Sequence, residues 1–117
     1  CSDNKLESLE FSPKSVGGNF YCSRNKLKSL EGGPESVGGF YCSFNRLSTL
    51  LGSPISVIDF SCYFNNLTTL EFSPKYVIGD FDCSYNPIYN KLGDIDYKSY
   101  IKQLYRDKAL NELLGER

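Results

Sequence analysis

Val16-Gly17-Gly18-Asn19-Phe20-Tyr21-Cys22-Ser23-Arg24-Asn25-Lys26-Leu27-Lys28-Ser29-Leu30 is one copy of a unit that recurs down the chain as far as Asn86. Its cysteine returns as Cys1, Cys22, Cys42, Cys62 and Cys83, in steps of 21, 20, 20 and 21 residues. Each cysteine is followed three residues later by an asparagine (Asn4, Asn25, Asn45, Asn65, Asn86). Five residues after it comes Leu6, Leu27, Leu47, Leu67 and finally Ile88. A short period with fixed apolar and amide positions marks a stacked-repeat solenoid. Within the unit, Phe20 and Cys22 alternate with Tyr21 and Ser23, which predicts a short strand with one buried face. The counterparts are Phe40/Cys42, Phe60/Cys62 and Phe81/Cys83. Every strand is reached by the same kind of connection, so the strands are expected to lie parallel in one sheet.

The rest of the unit follows from what a stacked array has to bury. Asn25, Asn45, Asn65 and Asn86 stand where strand becomes turn, and an amide carries enough donors and acceptors to satisfy backbone groups of adjacent turns. A buried backbone group left without a partner costs about 1–3 kcal/mol, so a structural asparagine ladder is expected. Leu27/Leu30, Leu47/Leu50 and Leu67/Leu70 continue the core. Pro13, Pro34, Pro54 and Pro74 fall in an extended return limb, where a residue that donates no hydrogen bond suits a stretch with no sheet to join. Val16, Val37, Val57 and Val77 close the circuit. The longer repeats carry their extra residue between valine and phenylalanine, in Gly17-Gly18-Asn19 and Ile78-Gly79-Asp80. A bulge costs little there.

The cysteines share one register, so Cys22, Cys42, Cys62 and Cys83 are expected to form an inward column of small apolar side chains. Side-by-side Cβ atoms suit disulfide geometry badly, and a column offers no tetrahedral cage for zinc. Free buried thiols imply a reducing, cytoplasmic setting. No cofactor or metal motif is present. With a net charge of −1 and no basic stripe, nucleic acid is a poor partner. No apolar run is long enough for a membrane helix. The chain holds no histidine and no convergent acidic pair, so no enzyme is expected. It opens on Cys1, partway through a unit and without a polar cap, from which upstream repeats and self-association through the N-terminal face are expected.

The unit breaks down after Asn86. Asp94 or Asp96 is expected to cap a helix carrying Tyr97, Tyr100, Ile101, Leu104 and Tyr105 at helical spacing, with a break around Arg106-Asp107 before Leu110, Leu113 and Leu114. The expected division is a repeat array over 1–90 and a helical cap over 91–117.

Val37, Phe40, Cys42, Asn45 and Leu47 fall on the landmarks of the L-x-x-L-x-L-x-x-N-x-L pattern, so the chain resembles leucine-rich repeat proteins. The short period and the prolines resemble the repeats of bacterial secreted effectors. The S-L-E-G-x-P-x-x-V-G-G-x-F-x-C-S-x-N flavour looks closest to bacteriophage-encoded arrays, which would add a virion to the expected settings. The resemblance implies an α/β-type solenoid with a curved parallel sheet lining its concave side. It also implies a protein partner and no catalytic residues.

On that geometry the exposed rows are Tyr21, Tyr41, Ser61 and Asp82; Ser23, Ser43, Tyr63 and Ser84; Arg24, Phe44, Phe64 and Tyr85; and Asn19, Gly39, Asp59 and Asp80. Aromatic side chains supply large contact area at low entropy cost. The expected partner surface is therefore Tyr21, Arg24, Tyr41, Phe44, Asp59, Tyr63, Phe64, Asp80, Asp82 and Tyr85, with Phe44 and Phe64 tucked partly in at the turn. The competing expectation is an assembly component whose arrays stack end to end.

Overall fold

The computed structural model describes residues 2–115; Cys1, the first of the expected cysteine column, and positions 116 and 117 of the expected cap lie outside the described residues. Strands β1 (Phe20–Tyr21), β2 (Phe40–Tyr41), β4 (Phe60–Ser61) and β6 (Phe81–Asp82) form a four-stranded parallel sheet in the order β1-β2-β4-β6. The register pairs Phe20 with Phe40, Phe40 with Phe60 and Phe60 with Phe81. It is the same across 20- and 21-residue steps, so the extra residue is absorbed before each strand begins. The phenylalanine rings stack behind the sheet with centroids 5.3, 5.6 and 5.6 Å apart. Together with the cysteines and the paired leucines they make one continuous core.

The return limbs depart from expectation. Strands β3 (Ser56–Val57) and β5 (Tyr76–Val77) pair in a second, two-stranded parallel sheet, and Ser15 bridges Ser36 in the same sense. The limb therefore does join a sheet. Proline occupies only the position ahead of it, and the residues that follow are free to donate, as Tyr76 N–H does to Ile55 O at 3.1 Å. Pro34, Pro54 and Pro74 are buried, whereas Pro13 is exposed.

Two helices close the sequence. Helix α1 (Pro87–Leu92), which the breakdown of the repeat concealed, begins with proline at its first turn. Ile88 is buried and its N–H still donates to Leu67 O at 2.9 Å, so the leucine row runs into the helix and the helical part starts before residue 91. Helix α2 (Tyr97–Gly115) is capped by Asp96, whose carboxylate accepts from Ser99 N–H at 3.3 Å and Ser99 Oγ at 2.8 Å. The expected break at Arg106-Asp107 is absent. Gln103 Nε2 donates to Asp107 Oδ1 at 2.8 Å across one turn, and the helix continues. Tyr97 and Ile101 are its buried anchors. The Tyr97 ring lies 6.2 Å from that of Phe81 and so adds a rung to the phenylalanine stack. Leu110, Leu113 and Leu114 are exposed. No helix among the described residues is long and apolar enough to cross a membrane.

Candidate interaction surface

The scaffold of the sheet face is the asparagine ladder. Asn45 Oδ1 accepts Leu27 N–H at 3.0 Å, while its Nδ2 donates to Cys22 O at 3.1 Å and Cys42 O at 3.0 Å. Asn65 and Asn86 repeat the same bonds one and two units on. Asn25 accepts Leu6 N–H at 3.1 Å and donates to Cys22 O at 2.9 Å. Each amide ties its own turn to the repeat before it.

Behind the face, Cys22, Cys42, Cys62 and Cys83 are buried free thiols. Burial pushes Cys22 and Cys83 up to about 12 and raises Cys42 and Cys62 well above the ordinary thiol range. They are protonated and shielded, which suits packing rather than nucleophilic chemistry.

The turn that each asparagine secures places one residue in the left-handed region: Asp3, Arg24, Phe44, Phe64 and Tyr85, with φ between 56° and 60°. Such angles favour glycine, and a bulky residue there costs about 1–2 kcal/mol. The conformation turns these side chains out over the face, and they stack. Phe44 and Phe64 are 4.8 Å apart and nearly parallel, and Phe64 and Tyr85 are 4.4 Å apart. The Arg24 guanidinium sits 5.4 Å from the Phe44 centroid and forms an ion pair with Asp3 at 3.6 Å. Tyr63 meets Phe44 edge-on at 5.2 Å. Phe44, Phe64 and Tyr85 are 37%, 45% and 64% exposed, so the stack covers part of the first two rings and leaves the third most open.

The neighbouring rows are more mixed. Tyr21 and Tyr41 stack at 4.9 Å. Gly39 leaves room for this pair, since a Cβ on it would come within 2.7 Å of the Tyr41 ring. Burial and the adjacent Asp59 carboxylate raise the Tyr41 hydroxyl above its usual range. Asp59 Oδ1 also accepts Asp80 N–H at 2.8 Å, and Asn19 Oδ1 serves Gly39 N–H in the same way at 2.8 Å. Asp82 accepts Ser84 N–H at 3.0 Å and Ser84 Oγ at 2.6 Å. The serine row is half-buried at Ser23, Tyr63 and Ser84, but Ser43 is buried, against the expectation from alternation, and its Oγ lies 3.0 Å from Ser61 Oγ.

The site residues read from the sequence thus fall into three groups: the Tyr21/Tyr41 pair, the Arg24–Phe44–Phe64–Tyr85 stack with Tyr63, and the Asp59/Asp80/Asp82 acids. The strain of the stacked row was hidden, because phenylalanine and arginine are not turn formers; its only sequence signal is a constant offset of two residues from each cysteine. A second left-handed row holds Phe11, Gly32, Gly52 and Phe72. Phe72 lies beside α2 with Lys108 over its ring at 5.1 Å, while Phe11 is 94% exposed. Comparisons with protein-family models, curated proteins and solved structures find no match for this chain.

Proposed function

We propose that this chain is a leucine-rich repeat array that acts without catalysis, holding a protein partner on the exposed face of its parallel sheet. The observation that carries this is the solvent-exposed stack Phe44–Phe64–Tyr85, built on backbone angles that an aromatic residue adopts only at a cost. Strain of this kind is characteristic of functional positions. Rigid, pre-stacked rings lose little entropy on binding and make effective anchors. Asp59, Asp80 and Asp82 add a negative end to the face, which favours a partner with complementary basic groups and steers its approach. The four buried thiols fit a reducing compartment, and a bacterial or phage source fits the flavour of the repeat.

The test uses the wild-type chain and a Tyr41→Ala/Asp82→Lys variant as baits for affinity capture. Calorimetry with each purified captured protein follows. A partner that binds the wild type and is lost by the variant, with circular dichroism unchanged, supports the sheet face. Equal binding to both moves the site elsewhere.

A second reading, end-to-end assembly, is favoured by exposed apolar groups at the two ends of the array, Phe11 at one and Leu110, Leu113 and Leu114 of α2 at the other. Light scattering that gives 13.2 kDa at all concentrations would exclude it.

A further inference from the structure

Helix α2 sorts its charges. Lys98, Lys102 and Arg106 follow one another at four-residue intervals along one flank. Its acids Asp107 and Glu112, with Lys108 between them, line the hollow against Phe72 on another. The basic flank faces β5, and two adjoining hollows of about 200 and 300 Å³ run along the seam between them. Both hollows share Lys75, Tyr76 and Lys102; Ile78 and Lys98 line the first and Arg106 the second. No acidic side chain lines either, and among the described residues none of the four bases forms an ion pair. The Lys75 ammonium lies 5.6 Å from the Tyr76 centroid and 5.9 Å from that of Tyr105, so it stands between limb and helix. Lys98 Nζ donates to Ile78 O at 3.4 Å. Tyr76 and Ile78 are 54% and 76% exposed. Four bases thus converge on one seam of a chain whose net charge is −1. Like charges so placed repel one another, and an anion relieves that repulsion.

We propose that this seam is a docking site for an acidic, extended peptide segment of a partner protein. The match is one of spacing as well as sign. Residues four apart on a helix stand about 6 Å apart along its axis, and alternate side chains of an extended segment about 6.5 Å. A segment lying along α2 therefore sets a carboxylate beside each of Lys98, Lys102 and Arg106, with Lys75 closing from the opposite wall. The side chains between the carboxylates turn toward Tyr76 and Ile78, so apolar residues at those positions cover the exposed ring and isoleucine. Lys98 and Arg106 stand about 12 Å apart along the helix, too far to share one small anion. The bases line a cleft rather than a plane, which favours a peptide over an anionic bilayer. None of these residues belongs to the sheet face or to the apolar ends considered above, so the seam stands or falls separately from both.

The experiment is titration of the full chain with a capped Glu-Val-Glu-Val-Glu-Val-Glu peptide, followed by calorimetry and by backbone amide shifts in NMR. Shifts should concentrate at residues 75–78 and 98–106 and leave the sheet face unmoved. A capped Glu-Glu-Glu-Glu-Val-Val-Val peptide has the same charge and composition but the wrong spacing, and should bind about tenfold more weakly. A Lys98→Glu/Lys102→Glu variant, checked for unchanged melting, should bind the alternating peptide at least about tenfold more weakly than wild type. Lys5→Glu/Lys28→Glu changes the net charge equally, at exposed positions in the first two repeats, and should bind as the wild type does. The proposal is overturned if the alternating peptide fails to bind, or if the shifts fall on the sheet face. Equal binding of the block peptide, or equal loss in the Lys5→Glu/Lys28→Glu variant, overturns it too, since charge attraction alone would then account for the affinity. Vesicles of phosphatidylcholine and phosphatidylserine that bind the wild type and not the Lys98→Glu/Lys102→Glu variant, with no binding of the peptide, would replace the peptide with a membrane surface.

Discussion

Asn45 shows how much one side chain carries in this array: it reaches Leu27 N–H, Cys22 O and Cys42 O, all inside the core. Asn45→Ala leaves Leu27 N–H unanswered and takes one of two amide donors from Cys22 O and from Cys42 O, and should lower unfolding free energy by about 1–3 kcal/mol in denaturant titrations. Phe64 is the opposite case. Replacing it with glycine removes two stacking contacts but relieves a left-handed angle, so stability should stay within about 1 kcal/mol of wild type. Phe60→Ala, in the core, should cost about 3–5 kcal/mol. If Phe64→Gly is as damaging as Phe60→Ala, the exposed stack is structural and the partner surface lies elsewhere. The buried thiols set the response to base. Cys22 and Cys83 ionise at about 12 when folded against 9.0 as free groups, so above pH 9 the unfolded chain binds fewer protons. Stability is therefore complete below pH 9 and falls as pH rises toward 12. Urea midpoints at pH 7, 9 and 10.5 should decline mainly over the upper interval, and a cysteine-to-alanine array should lose most of that slope, with the raised Tyr97 hydroxyl keeping part of the remainder.

Among the elements, the four strands were legible because phenylalanine and cysteine keep step with asparagine in every repeat. The second sheet was not, since β3 and β5 are two residues long and their neighbours, Ile55 and Ile58 among them, are exposed rather than alternating. Helix α1 escaped for a similar reason. Asn86 stands at its N-cap yet makes no capping bond, because its amide is committed to Leu67, Cys62 and Cys83. The aspartates of the face were legible as charges, but Asp59 as a backbone acceptor for Asp80 was not, because that bond spans 21 residues. Helix α2 divides into a docked half and a free half. Ile101→Ala should cost about 2–4 kcal/mol. Truncation after Lys108 should cost under about 1 kcal/mol, since Leu110, Leu113 and Leu114 are exposed. Thermal melts of the two variants distinguish the halves; comparable losses would mean the distal half is docked as well.

At the scale of the whole molecule, the contacts that join the array run between one repeat and the next, with Phe rings, asparagine bridges and strand bonds all spanning about one period. Stability should accordingly build seam by seam. The seams are alike whether the step is 20 or 21 residues, since Phe20 meets Phe40 just as Phe60 meets Phe81. One unit can thus be exchanged for another without disturbing its neighbours' bonds. In genetic terms the array tolerates changes in copy number: unequal recombination between the coding repeats yields a longer or shorter ruler with its joints intact. A gene lacking codons 42–61 should still give a protein with parallel strand pairing, its aromatic row shortened by the Phe44 ring. Slippage by a single codon elsewhere than between valine and phenylalanine should be lethal to folding. Such a chain can retune the length of its exposed face by whole rungs while its chemistry at each rung drifts independently.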